Sequence, residues 1–283
     1  MRARPGALRR TPIRFPIAYA VLLLVTCLIT LPIIWFLISS LKQEIEYLAY
    51  PIKVLPAEPQ WINYVKALTL IPFHKYAWNS FFLAMSFSVL TVITSAMAGF
   101  AFSRLHAPGH NTLFMIVIAL LIVPGIVTII PQFIVFSRLQ LTNTYWPWIL
   151  WGLSASPFHI FLFRQFFAAI PRELEDAAEV DGCGPFRVFW QIFLPNSLPA
   201  LATSFIFNFV WVWSDWLTPL IYLSDEKTTL AVKLDSAYLD PQGHALITTT
   251  LAACVIYTLP LMILFFLAQK YITQGVVTSG LKG

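Results

Sequence analysis

Charge is scarce in this chain. Of its 283 residues only 11% are charged, 18 basic and 13 acidic, while 58% are hydrophobic. A water-soluble domain carries about a quarter charged residues, so that class is excluded. Cysteine is scarce too: Cys27, Cys183 and Cys254 have neither the number nor the spacing of a disulfide framework or a zinc site, and read as packing residues. No Gly-x-x-x-x-Gly-Lys-Ser/Thr phosphate loop is present, so ATP hydrolysis by the chain itself is excluded. His, Asp and Glu are not clustered near the apolar runs, which argues against a membrane-embedded enzyme. No internal repeat is found, against the expectation for a single-chain transporter built from repeated halves.

What the chain has is long apolar runs. A bilayer is crossed by roughly 20 residues of helix, and six runs approach or exceed that: Phe15–Ser39, Ser80–Phe102, Leu113–Phe136, Trp146–Phe163, Leu198–Tyr222 and Ala245–Ala268. A spanning segment in lipid must satisfy its own backbone, as a helix or within a closed barrel. Barrel strands would alternate in polarity over about ten residues, and these runs do not. The expected fold is all-α, a polytopic membrane protein with six transmembrane helices.

The first 14 residues hold five arginines (Arg2, Arg4, Arg9, Arg10, Arg14) and no acid. The positive-inside rule keeps that end in the cytoplasm, and an even number of spans returns the C-terminus there. Arg138 is the one arginine on the predicted outer side, and four lysines of the first outer loop weaken the bias. The first run lacks a small-x-small cleavage site and is too long for a signal peptide, so an uncleaved first helix is expected. The outer loop Ser40–Asn79, with Pro51, Pro56, Pro59 and Pro72, predicts a small folded extension outside the membrane. The last outer loop, Leu223–His244, is long enough to reach a soluble partner. Pro124, Pro131, Pro157, Pro219 and Pro260 fall within runs, where each removes a backbone donor and bends a helix.

The segment Arg164–Ser197 is the most informative. Pro171 suits a first helical turn, Glu173 and Glu175 its positive end, and Gly182 a C-terminal stop. Leu174, Ala177 and Ala178 then share a face. A second short helix carries Phe186, Phe189, Trp190 and Phe193 at i, i+3, i+4 and i+7, one apolar stripe. Helices that rest on lipid headgroups are rich in Lys and Arg. From Pro171 to Arg187 there are instead five acids against two arginines, which points to docking in a protein groove.

With Asp176-Ala177-Ala178, Asp181-Gly182 and Ile192-Phe193-Leu194-Pro195 in place, this stretch resembles the loop characteristic of bacterial ABC importer permeases, Glu-Ala-Ala followed by a glycine and Ile-x-Leu-Pro. Aspartate stands where glutamate is usual. Pro32-Ile33-Ile34-Trp35, Ser39-Ser40-Leu41-Lys42, Asn143-Thr144-Tyr145-Trp146 and the tail Gln269–Gly283 are similar to the maltose-type carbohydrate branch. The resemblance implies the type I importer transmembrane fold and a sugar or sugar derivative as solute. It divides the chain into 1–75 (N-terminus, first helix and outer loop), 76–270 (the five-helix core) and 271–283 (a cytoplasmic tail near the ATPase dimer interface). It makes 170–195 the coupling loop, with Leu174, Glu175, Asp176, Ala177, Ala178, Asp181, Gly182, Ile192, Leu194 and Pro195 at the ATPase. The implied partners are a second homologous permease, two cytoplasmic ATPase subunits that use ATP and Mg, an extracytoplasmic solute-binding protein and the bilayer of the bacterial inner membrane. No cofactor, metal, catalytic residue or nucleic acid is implied for this chain.

Asp215 is the sole acid within the six runs, where an ionisable group costs about 3 kcal/mol at mid-bilayer and so faces a cavity or a partner. Ser204, Asn208, Trp211, Asp215 and Thr218 recur at helical spacing, which predicts one polar face flanked by Trp213 and Ser214. Pro219 leaves the Asp215 carbonyl without its donor. Two readings fit. Aromatics with a few hydrogen-bonding groups suit solute or an outer gate about 10 Å below the surface, and buried Ser, Asn and Asp also tie helices together. His159 reads as a packing residue and Arg164 as a headgroup anchor. An ion-coupled transporter using Asp215 is the alternative, and it leaves the acidic loop unexplained.

Overall fold

The computed structural model describes residues 14–280. Arg2, Arg4, Arg9 and Arg10, on which the predicted orientation rests, and the terminal Leu281-Lys282-Gly283 lie outside the described residues. Among the described residues the elements are helical: α1 Arg14–Ser40, α2 Glu44–Tyr47, α3 Ile62–Thr69, α4 Phe73–Arg104, α5 His110–Ala119, α6 Gly125–Arg138, α7 Trp146–Leu153, α8 Pro157–Ala168, α9 Glu173–Val180, α10 Pro185–Val188, α11 Leu198–Ser214, α12 Leu217–Tyr222, α13 Leu230–Ser236 and α14 Ile247–Gly280. One isolated antiparallel bridge joins Leu239 and Ala245.

Four of the six apolar runs hold a single helix long enough to cross a bilayer, and the other two are bent pairs. The third run is not a single rod. Its halves, His110–Ile122 and Gly125–Arg138, meet at 100°, because Pro124 holds Val123 extended (ψ 116°) and takes a donor out of the ladder. The fourth run, Trp146–Ala168, turns by 81° into α9. It also pauses at Ser154–Ser156, where Ala155 has φ +58°, before Pro157 opens α8. In the fifth run α11 stops at Ser214 and α12 begins at Leu217. A proline ring excludes the carbonyl four residues before it, and counting back from Pro219 puts that point at Asp215, where the break falls. Pro131 and Pro260 lie inside α6 and α14.

The chain divides into two compact units. The first runs through Ala67 and includes Leu239–Val255. The segment that follows α1 is a folded extension. The Asn63 side-chain amide donates to the Ser40 and Lys42 carbonyls, both at 2.9 Å. The Lys42 ammonium donates to the Lys53 carbonyl at 2.6 Å, and Glu46 accepts from the Ala57 N–H. Glu44 accepts from the N–H and hydroxyl of Thr248 at 2.8 and 2.7 Å, capping the start of α14. The Ser-Ser-Leu-Lys ending of the first span is therefore the anchor of this extension.

The second unit, Leu68–Tyr238 with Ile256 onward, is organised around α4. That helix packs on α7, α8 and α11 through the small residues Ser80, Ala84, Ser88, Thr91, Ser95, Ala96 and Gly99. Lipid gives apolar faces no reason to associate, so spans are held by close packing and polar contacts. Gly99 marks the tightest approach: a Cβ there would lie 2.6 Å from Phe163 Cβ and 3.0 Å from the Arg164 nitrogen.

Candidate functional site

The 170–195 loop forms the predicted pair of short helices, joined by a defined stop. Gly182 takes φ +79°; the Gly182 N–H donates to the Glu179 carbonyl and the Cys183 N–H to that of Ala178, both at 2.9 Å. These paired bonds close a helix end whose last residue must be left-handed, so glycine is favoured. No atom lies within 4 Å of where a Gly182 Cβ would be, so the turn stands clear of the bundle.

The second helix does not carry one stripe. Phe189–Phe193 is a π-turn, with the Leu194 N–H reaching back five residues to the Phe189 carbonyl at 3.0 Å. The wider turn splits the four aromatics. Phe189 and Phe193 are buried with Phe100, Phe163, Phe167, Val188 and Ala178 in one core cluster. Phe100 and Phe193 meet edge to face at 4.9 Å. Phe186 and Trp190 pair edge to face on the outside, 67% and 42% exposed. The ten residues assigned to coupling therefore do not form one surface. Leu174, Asp176, Ala177, Asp181, Gly182 and Pro195 are exposed, Glu175, Ile192 and Leu194 are half-buried, and Ala178 is in the core. Val180, Phe186 and Trp190 are exposed on the same loop, as are the acids Glu173, Asp176, Glu179 and Asp181.

Two arginines fix this loop to the bundle by an exchange that the sequence analysis missed. Arg104, at the end of α4, donates to the carbonyls of Phe167 (2.6 Å) and Ile170 beyond α8. Arg164, on α8, donates from Nε to the Phe102 carbonyl of α4 at 3.0 Å and lies 3.9 Å over the Phe114 ring. Each cation donates to carbonyls at the other helix's C-terminal end, where a carbonyl can accept a second bond, as that of Phe167 does from the Ile170 N–H. Arg164 is thus a packing contact rather than a headgroup anchor. Arg104 also pairs with Glu175 at 3.5 Å and sits 5.0 Å over Phe193. An arginine closing an apolar run, four residues after Phe100, was the available signal.

The polar face expected in the fifth span is divided. Ser204 and Asn208 are buried, and the Asn208 amide donates to the Ser204 carbonyl at 3.0 Å and to His159 Nε2 at 3.3 Å. This is the helix-tying reading, and it takes in His159 as the packing residue expected. Ser88, Thr91, Ser204 and His159 Nδ1 are buried without a hydrogen-bond partner among the described residues. Trp213 is also buried, in a run of stacked rings from Phe205 through Phe209 to Tyr257. Trp211, nearly one turn beyond Asn208 along α11, is 75% exposed. Asp215 lies past the helix end with ψ 118°, and its carboxylate accepts the Thr218 N–H at 3.1 Å, capping α12. The face runs through Ser204, Asn208 and Trp211 within α11, and the break after Ser214 takes Asp215 and Thr218 off it.

Asn143-Thr144-Tyr145 ties down the chain that follows α12. Asn143, at φ +56°, donates its N–H to the Tyr222 carbonyl at 2.7 Å and accepts from the Ser224 N–H at 3.0 Å. Lys227 donates to the Asn143 carbonyl, and the Tyr145 hydroxyl to that of Lys227.

Broken apolar spans around a close-packed core, with a partly exposed acidic loop, are those of a multi-pass membrane protein. Residues 91–278 match the family described as binding-protein-dependent transport system inner membrane component, and the chain belongs to that family. It is 30% identical to the diacetylchitobiose uptake system permease protein of Streptomyces coelicolor, over 93% of this chain and 87% of that one. It is 32% identical to the lactose transport system permease protein of Rhizobium radiobacter, over 93% and 95%. The crystal structure of a bacterial ABC transporter involved in alginate import has a chain that superimposes with a TM-score of 0.80 at 23% identity, covering 95% of this chain and all of that one. The type I importer fold follows.

Proposed function

We propose that this chain is half of the membrane path of an ATP-driven importer for a sugar or sugar derivative. In this reading both termini are cytoplasmic, a second homologous permease supplies the other half, and a solute-binding protein delivers solute outside. Two ATPase subunits use ATP and Mg on the cytoplasmic side. The carrying observation is the divided 170–195 loop: Ala178, Phe189 and Phe193 sit in the core of the bundle, while Leu174, Val180, Phe186 and Trp190 stay outside among Asp176, Glu179 and Asp181. Such a part is built to be pushed by a neighbour and to move the spans beneath it. The sugar assignment rests on the relatives' uptake and lactose systems. Within the subunit, Trp211, Asp215 and Thr218 are the residues of the original stripe left open to the path or to the second permease; Ser204, Asn208 and Trp213 serve packing. The test is solute uptake and ATPase activity of the purified importer with Gly182→Glu, which should assemble, hydrolyse ATP and import poorly. Wild-type uptake would sink the assignment.

A further inference from the structure

We propose that Arg104 is a positioning residue, the joint that makes the end of the second span, the end of the fourth and the 170–195 loop move as one body. The inference rests on the coupling role of that loop and names the residue that carries its motion inward. Arg104 is 9% exposed and its side chain 4%. One guanidinium meets four groups from three segments: the Phe167 and Ile170 carbonyls, the Glu175 carboxylate and the Phe193 ring. Glu175 is on the first short helix and Phe193 on the second, so both halves of the loop are held. Its Nε finds no partner among the described residues, so the remaining nitrogens carry the whole connection.

The chemistry asks for arginine. A planar fork can donate to two carbonyls and a carboxylate while its face lies on an aromatic ring, and a lysine ammonium cannot do all four. Van der Waals contact alone would let the loop slide over Phe100 and Phe167. Fixed-direction hydrogen bonds with an ion pair in a dry site resist sliding, because separating them leaves a buried charge uncompensated. The reciprocal bond from Arg164 to Phe102 ties α8 back to α4 within two residues of Arg104, so the two spans have no free play at this end.

The test uses the complete importer, purified through a tag on this chain and reconstituted in liposomes. Arg104→Gln should raise the ATP hydrolysed per solute imported by about tenfold, and Glu175→Gln by about threefold, the size expected of a residue that transmits coupling. Spin labels at Ala107 and Val180, both exposed, should keep one narrow distance through the nucleotide cycle in wild type and a broad one in Arg104→Gln. A purely structural role would lower yield or thermal stability without changing the ratio. An assembled Arg104→Gln complex with the wild-type ratio overturns the proposal. If Arg104→Gln does not assemble, Glu175→Gln decides: a raised ratio supports the joint and an unchanged one overturns it. Gly182→Glu separates the two levels. If it uncouples while the Arg104 and Glu175 variants do not, only the joint falls; if it imports normally, the coupling reading falls first.

Discussion

Trp213 and Tyr257 hold each other twice. The indole N–H donates to the Tyr257 carbonyl at 3.2 Å, the Tyr257 hydroxyl donates back to the Trp213 carbonyl, and the rings stack at 5.3 Å. The Trp213 carbonyl sits one turn short of any continuing helix, because α11 ends at Ser214. In lipid an open carbonyl at such a break has no water to turn to, and the tyrosine supplies the partner. Tyr257→Phe keeps the stack and removes that donor, which should cost about 1–3 kcal/mol. The thermal midpoint of the purified complex should fall, and Tyr19→Phe, on an exposed face of α1, should leave it alone.

Asp215 caps α12 across the same break, so its substitutions should sort by hydrogen bonding rather than by charge. Asparagine is an equally good cap, whereas leucine has no acceptor and loses about 1 kcal/mol. Asp215→Asn should retain measurable ATP-driven uptake and Asp215→Leu much less. Uptake assays on both variants at matched membrane levels check this. Equal and complete loss in the two would mean that the charge itself is required.

The Gly182 turn depends on a left-handed backbone with open space around it. Conformation alone is at stake there, so Gly182→Asn, the next residue to tolerate that region, should import close to wild type. Gly182→Val, β-branched, should lose coupling at a strain of about 1–3 kcal/mol. Transport by the valine variant at the wild-type ratio of ATP to solute would contradict the turn's role.

Gly99 gives the bundle's closest helix contact. Gly99→Leu would drive a side chain into Phe163 and the Arg164 backbone, costing at least the roughly 1–3 kcal/mol of an overpacked core. It should also pull Arg164 from the Phe102 carbonyl. Yield of the assembled complex and its melting temperature should both drop, while Gly125→Leu, with nothing within 4 Å and no positive φ, serves as the control for bulk alone.

The apolar runs were legible because the bilayer imposes one length and one polarity on every span, whatever the side chains do inside. The Gly182 stop was legible because a left-handed cap needs one residue type. What escaped depends on contacts between distant segments. Arg104 looks like any arginine closing a span until Phe167, Ile170 and Glu175 are folded beside it. The Phe186–Phe193 stripe was read at 3.6 residues per turn, and the π-turn from Phe189 changes the period in mid-helix. At Pro219 the missing donor was read correctly, but its steric half, the exclusion of the Asp215 carbonyl, ends the helix at Ser214, so that Asp215 and Thr218 leave the face carried by Ser204, Asn208 and Trp211.

If ATP hydrolysis on a partner drives this permease, the direct measurement is solute uptake by liposomes holding the complete importer, first with ATP on the ATPase side and no ion gradient, then with a proton or sodium gradient and no ATP. Uptake is expected in the first condition only, dependent on the solute-binding protein. Uptake driven by the gradient without ATP would contradict that.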